Sequence, residues 1–88
     1  MHLYAAYLGG PPSGGRMGED HEVVYVVAPD GGAAKAAAVA KWRGAGRGHV
    51  DAVERIDVVD GYEVSLAPAG GGPGKGGPTD RTALDSYN

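Results

Sequence analysis

The sequence predicts an α+β fold in which one helix packs on one face of a small antiparallel or mixed four-stranded sheet. Three observations predict this class. Residues 23–27 form an unbroken β-branched and aromatic run typical of a strand, residues 33–43 are rich in alanine and favour a helix, and residues 50–66 have the pattern of a hairpin about Asp60-Gly61. With a further strand near the start, the predicted order is strand-strand-helix-strand-strand.

The first two predicted strands differ in their patterns. Residues 2–8 mix tyrosine, leucine and alanine and stop at the glycines and prolines of residues 9–12, which end the first strand. Residues 23–27 are apolar at every position and are closed by Pro29. Because a strand buried on both faces shows such a continuous run, the second strand is predicted at the centre of the sheet.

The predicted helix covers residues 33–43. Asp30 is placed as its N-cap and Gly44 as its end. Val39 and Trp42 lie three residues apart on one side of the helix, so they are the predicted contacts with the core.

The predicted hairpin covers residues 50–66. A two-residue loop at Asp60-Gly61 would pair Val59 with Tyr62 and would mix apolar with charged side chains on one face. A three-residue loop that starts at Val59 pairs Val58 with Tyr62 instead and keeps that face apolar, so it gives the predicted register. The apolar face then consists of Ile56, Val58, Tyr62, Val64 and Leu66.

One domain is predicted over residues 1–67, followed by a flexible Gly/Pro-rich tail over residues 68–88. A core of this size buries only about 60% of the surface that its unfolded chain exposes, so self-association would stabilise it. The sequence has no Cys, which excludes disulfides, thiolate zinc sites, iron–sulfur clusters and thiol catalysis.

Location and partners are predicted from the overall composition. The first residues have no basic leader and no apolar run approaches the ~20 residues that span a bilayer, so a cytoplasmic protein without membrane association is expected. The formal net charge of −3 disfavours nucleic acid as a partner. Residues 44–49 follow a helix and lead into a strand, which is the reverse of the order around a phosphate-binding loop, and Gly74-Lys75 has no helix after it. No cofactor is predicted.

Four polar residues could form a site: Glu19, His21, His49 and Asp51. Strand alternation places the first two on one side of their strand, and the last two likewise. If the second and third strands begin side by side, the four groups converge. They could then bind a divalent metal, with His21, His49 and Asp51 as the first candidates, or act in acid–base chemistry. The alternative is that they cap strand ends or face solvent.

Three basic residues, Lys41, Arg43 and Arg47, lie at the end of the predicted helix and in the segment after it. Together they could bind an anion or a nucleic acid. The alternative is a solvated helix face, in which the charged ends of these side chains simply stay in water.

Five short motifs occur in order along residues 4–66: Tyr7-Leu8-Gly9-Gly10, Glu19-Asp20-His21-Glu22-Val23 before Val26-Val27, Lys41-Trp42, His49-Val50-Asp51 and Val59-Asp60-Gly61-Tyr62. In this order they resemble a short bacterial module catalogued as domain of unknown function 1543. Two positions depart from its pattern, Ala28 where glycine is expected and Arg43 where an aromatic residue often follows the tryptophan. The resemblance implies no established activity. Some members carry two copies of the module, which implies that a single-copy chain pairs with itself.

The leading functional hypothesis from the sequence is a non-catalytic homodimeric module with a binding or structural role. The two-sided second strand, the small core and the lack of a strong catalytic motif favour it. The alternatives are a small metal-dependent or acid–base enzyme that uses the four polar residues, and an anion or nucleic-acid binder that uses the three basic ones.

Overall fold

A computed structural model describes residues 1–12, 14 and 17–70 of the chain. The elements are β1 (His2–Gly10), β2 (Asp20–Ala28), α1 (Gly31–Ala40), β3 (His49–Ile56), β4 (Val58–Val59) and β5 (Tyr62–Glu63). The α+β class is confirmed, with one helix in the described part of the chain. The single four-stranded sheet is wrong, because β2-β1-β3 form a three-stranded antiparallel sheet and β4-β5 form a separate hairpin. Residues 71–88 of the predicted tail lie outside the described part of the chain.

The central strand is β1. It pairs with β2 along its whole length, from His2↔Ala28 to Gly10↔Asp20, and with β3 on its other side. The predicted central position of residues 23–27 is therefore wrong, because β2 is an edge strand of the sheet that the described residues form. Its apolar run has a different cause, since every second side chain faces the core while those between them face the uncovered side of the sheet.

The two faces of the sheet have different surroundings. One face packs against α1 and forms the core with it: Tyr4, Ala6, Leu8, Val24, Val26, Ala28, Ala34 and Ala38. The other, here called the open face, has no helix over it among the described residues and exposes apolar side chains: Tyr7 (40%), Val23 (38%), Tyr25 (43%) and Val27 (47%). Within the described residues, no helix has the length and apolar character needed to cross a membrane.

The helix begins at Gly31, two residues before the predicted range. The Asp30 carboxylate accepts a hydrogen bond from the Ala33 amide at 2.8 Å, which confirms the N-cap. Its end is earlier than predicted, because Lys41 closes the last turn. The core contacts also differ from the prediction, since Ala34 and Ala38 are fully buried and α1 approaches the sheet through these small side chains.

Of the two residues predicted to contact the core, Trp42 does so and Val39 does not. Val39 lies outside the core cluster, and Trp42 packs against the core from the segment that follows α1 rather than from within it. Trp42 thereby becomes the link between the end of the helix and the beginning of β3.

The predicted hairpin register is wrong. Val59 pairs with Tyr62 across a two-residue turn. Asp60 and Gly61 both have positive φ, 53° and 82°, which is the type I′ geometry that matches the natural twist of paired strands. The hairpin lies outside the core, and the Tyr62 side chain is 78% exposed. This register therefore moves no buried apolar side chain into water.

Candidate metal centre

The four polar residues meet at one end of the open face. Glu19 immediately precedes β2, His21 lies in β2, and His49 and Asp51 lie at the start of β3. The prediction places the beginnings of the two strands side by side, but the strands are not neighbours, because β1 lies between them. Gly9 of β1 pairs with His21 on one side and with His49 on the other.

Gly9 makes the convergence sterically feasible. Residues on the two outer strands are separated by two strand spacings, roughly 9.6 Å, so their side chains must bridge over the central strand. A Cβ atom on Gly9 would lie 3.1 Å from each of Asp51 Oδ2, Glu19 Oε1 and His49 Nε2. The absent side chain therefore leaves the space in which these three ligand-type atoms meet.

A β-bulge directs Asp51 toward the same space. The pairing of β1 with β3 shifts by one residue, so that Leu8 faces Val50 and Asp51 is the extra residue. Without this shift, Asp51 would face Leu8, whose side chain is fully buried in the core. The bulge therefore keeps the Asp51 carboxylate away from the core and beside His49.

The distances separate a compact set of three residues from a fourth at its rim. His49 Nε2 lies 3.0 Å from Asp51 Oδ1 and 3.5 Å from Glu19 Oε2. One ligand atom from each of these three residues falls within 4.8 Å of the others. His21 lies farther out, with Nε2 3.9 Å from Glu19 Oε1 and Nδ1 3.9 Å from Asp51 Oδ2. The Glu19, His49 and Asp51 side chains are about half exposed to solvent, and that of His21 is 65% exposed.

Imidazole nitrogen and carboxylate oxygen together suit a divalent transition metal. Imidazole favours zinc, iron, nickel or copper, and carboxylates also accept manganese. Ligands at about 2.0–2.2 Å from an ion lie roughly 3 Å from one another, so the present separations need only small side-chain rotations to close around one. Half-exposed side chains have the freedom for such rotations.

Trp42 supports this end of the sheet from the opposite face. Its indole packs against three glycines, and a Cβ atom would approach the ring within 2.4 Å at Gly10, 2.2 Å at Gly44 and 2.5 Å at Gly48. The indole Nε1 donates a hydrogen bond to the Ala45 carbonyl at 3.1 Å. Trp42 therefore fixes the loop that leads into His49.

Sequence reasoning identified the four polar residues but missed the glycines that accommodate them. Gly9 and Gly10 are predicted to end the first strand, whereas both lie within β1 and leave room for side chains on opposite faces. A signal was present in Gly44 and Gly48, which lie close in sequence to the single tryptophan and leave room for its ring.

The three basic residues are partly engaged within the fold. Lys41 Nζ donates a hydrogen bond to the Tyr25 carbonyl at 2.8 Å, which ties it to β2. The Arg43 amide donates to Glu22 Oε1 at 3.2 Å, and Arg47 is exposed in the loop after α1. An anion site at Lys41, Arg43 and Arg47 stays a prediction.

Comparison with known families gives one match. The family described as Domain of Unknown Function (DUF1543) matches residues 16–66, which is more than half of the chain and includes all four polar residues. The resemblance inferred from the sequence motifs is thereby confirmed. Neither the curated proteins nor the solved structures provide a match.

Proposed function

The chain belongs to the DUF1543 family of domains of unknown function, and we propose that it is a divalent-metal-binding module whose centre is formed by Glu19, His49 and Asp51, with His21 at its rim. The observation that carries the proposal is the meeting of three ligand-type atoms, from Glu19, His49 and Asp51, within 4.8 Å of one another. Among the described residues this is the group whose donor set and spacing suit an ion.

Two features of the backbone support metal binding over a set of unrelated polar side chains. The glycine at position 9 and the bulge at Asp51 both act to bring ligand-type atoms together. Side chains that only cap strand ends need neither feature. The charges agree, because two carboxylates beside each other attract a divalent cation.

Titration of metal-free protein with Zn²⁺ and Mn²⁺ by calorimetry tests the proposal. We expect one ion per chain, and we expect His49→Ala to weaken binding by about tenfold or more, because even the supporting partners of metal ligands contribute that much. His2→Ala is the matched control, since His2 lies at the opposite end of β1 from Gly9. Equal affinity of both variants, or no binding by the wild type, would overturn it.

A specific observation also supports the homodimer as a second proposal. A two-stranded hairpin is at best marginally stable in water by itself. The hairpin of residues 58–63 exposes Val59 and Tyr62, so burying these side chains against a partner would stabilise it. The open face exposes further apolar side chains, including Val27. A second copy related by two-fold symmetry could cover the hairpin and the adjoining end of the open face.

The proposed dimer would leave the metal centre accessible. The metal centre lies at the first residue of β3, His49, and the hairpin follows the last, Ile56. Seven residues at about 3.3 Å each separate the two ends of the strand by about 23 Å. Light scattering during size-exclusion chromatography tests the assembly. We expect a dimer for the wild type, a monomer for Tyr62→Asp and a dimer for the control Glu63→Gln. A monomeric wild type would contradict this second proposal alone.

A further inference from the structure

We propose that Glu19, His49 and Asp51 hold the ion, and that His21 instead donates a hydrogen bond to an external oxygen ligand, the carboxylate or carbonyl group of a small organic molecule. This inference rests on the metal centre proposed above. It assigns different roles to two histidines that the sequence treats alike.

The orientation of His21 separates it from the three ligands. His49 directs one nitrogen, Nε2, at both carboxylates, as a metal ligand does. His21 instead presents Nε2 to Glu19 and Nδ1 to Asp51, each at 3.9 Å, so its ring spans the two carboxylates. The compact set accordingly comprises three residues without His21. Three protein ligands with a position left for another molecule are typical of catalytic metal sites, whereas structural zinc sites are closed by four.

The charges of the site select the external ligand. Two carboxylates neutralise the charge of a divalent ion, so the loaded centre has no net charge to attract a polyanion. A neutral carbonyl group or a monocarboxylate adds at most one negative charge beside Glu19 and Asp51. A phosphate dianion adds two and would be repelled more strongly at this short range.

The surface beside the centre suits an apolar group on the same molecule. Tyr7 and Val23 are paired on the open face, two residues along each strand from Gly9 and His21. Their side chains are 40% and 38% exposed, so they provide an apolar surface next to the ion. A monocarboxylate with an aromatic group or a longer aliphatic chain would therefore bind more tightly than acetate.

Cobalt-loaded protein provides a direct test, because the visible spectrum of Co²⁺ reports its coordination. We expect benzoate to change the spectrum at lower concentration than acetate, and inorganic phosphate to have little effect. We expect His21→Ala to retain its affinity for Co²⁺ but to weaken benzoate binding by about tenfold, the effect of losing one hydrogen bond to a charged group. Tyr7→Ser should weaken the binding of benzoate and not that of acetate.

The outcomes distinguish this inference from the proposal on which it rests. If His21→Ala loses Co²⁺ as fully as His49→Ala, then His21 is a ligand, and the division of roles is wrong while the metal centre stands. Phosphate that binds as tightly as benzoate would overturn the ligand class. A wild type that binds no Co²⁺ would overturn the metal centre itself.

Discussion

Gly9 and Gly10 are adjacent in β1, and their missing side chains serve opposite faces of the sheet. Gly9 leaves space for polar side chains on the open face, and Gly10 leaves space for the Trp42 indole on the helix face. The atoms near Gly9 belong to exposed side chains that can move apart, whereas Trp42 is packed against the core. The same substitution at the two positions should therefore have different consequences.

Gly9→Ala should weaken metal binding while leaving the fold intact. The added methyl group would occupy the space in which Asp51, Glu19 and His49 meet, so we expect affinity to fall by about tenfold or more. Calorimetry measures this loss, and circular dichroism checks the fold. Gly10→Ala is the matched control, and we expect it to lower the free energy of unfolding by about 1–3 kcal/mol through overpacking against Trp42. Equal metal affinity in Gly9→Ala and the wild type would contradict the proposed geometry.

At the scale of elements, the sequence predicts which segments form strands and the helix better than it predicts where they pack. Alanine content and Asp30 locate α1, and the β-branched run locates β2. That run could not show that β2 lies at an edge, because an exposed apolar face and a buried one have the same composition.

The hairpin and the bulge mark further limits of sequence reasoning. The predicted hairpin register assumed that its apolar residues are buried, but Val58, Tyr62 and Leu66 are exposed, and the local preference of Asp60-Gly61 for a type I′ turn prevails. For the site, alternation correctly groups His49 with Asp51. The bulge at Asp51 keeps its carboxylate on the same side as His49 while Leu8 stays buried. The bulge arises from the pairing of β3 with β1, and the sequence pattern of β3 alone does not show that pairing.

Ala38→Leu should destabilise the helix–sheet contact. Ala38 is fully buried where α1 meets the sheet, and a larger side chain would force the two apart, at a cost of about 1–3 kcal/mol. Ala36→Leu makes the same change at an exposed position of α1, where we expect an effect within about 0.5 kcal/mol. Urea denaturation measures both. Similar losses for the two variants would show that α1 does not pack through Ala38.

Asp30→Ala should remove the N-cap of α1. Its carboxylate accepts the Ala33 amide at 2.8 Å, and loss of such a cap costs about 1 kcal/mol in free energy of unfolding. Asp30→Ser should retain most of the stability, because a hydroxyl can accept the same hydrogen bond. Thermal unfolding followed by circular dichroism compares the two, and equal loss in both would indicate that Asp30 acts other than as a cap.

At the scale of the whole molecule, the proposed centre connects strands that do not pair with each other. Glu19 adjoins β2, and His49 and Asp51 belong to β3, so an ion held by them would tie both edge strands across β1. A small domain without disulfides has few other means of fastening its edges. Metal binding should therefore stabilise the entire fold and not only the side chains around the ion.

Zn²⁺ or Mn²⁺, whichever binds more tightly, should raise the melting temperature of the chain. A free concentration of one hundred times Kd contributes about 2.7 kcal/mol if only the folded state binds, which corresponds to about 10 °C or more for a domain of this size. Asp51→Asn should lose most of this gain, and a chelator should reverse it in the wild type. Tyr62→Asp should keep the gain in full, because the hairpin lies far from the cluster and metal binding does not depend on assembly. An equal rise in Asp51→Asn and the wild type would mean that the ion acts elsewhere on the chain.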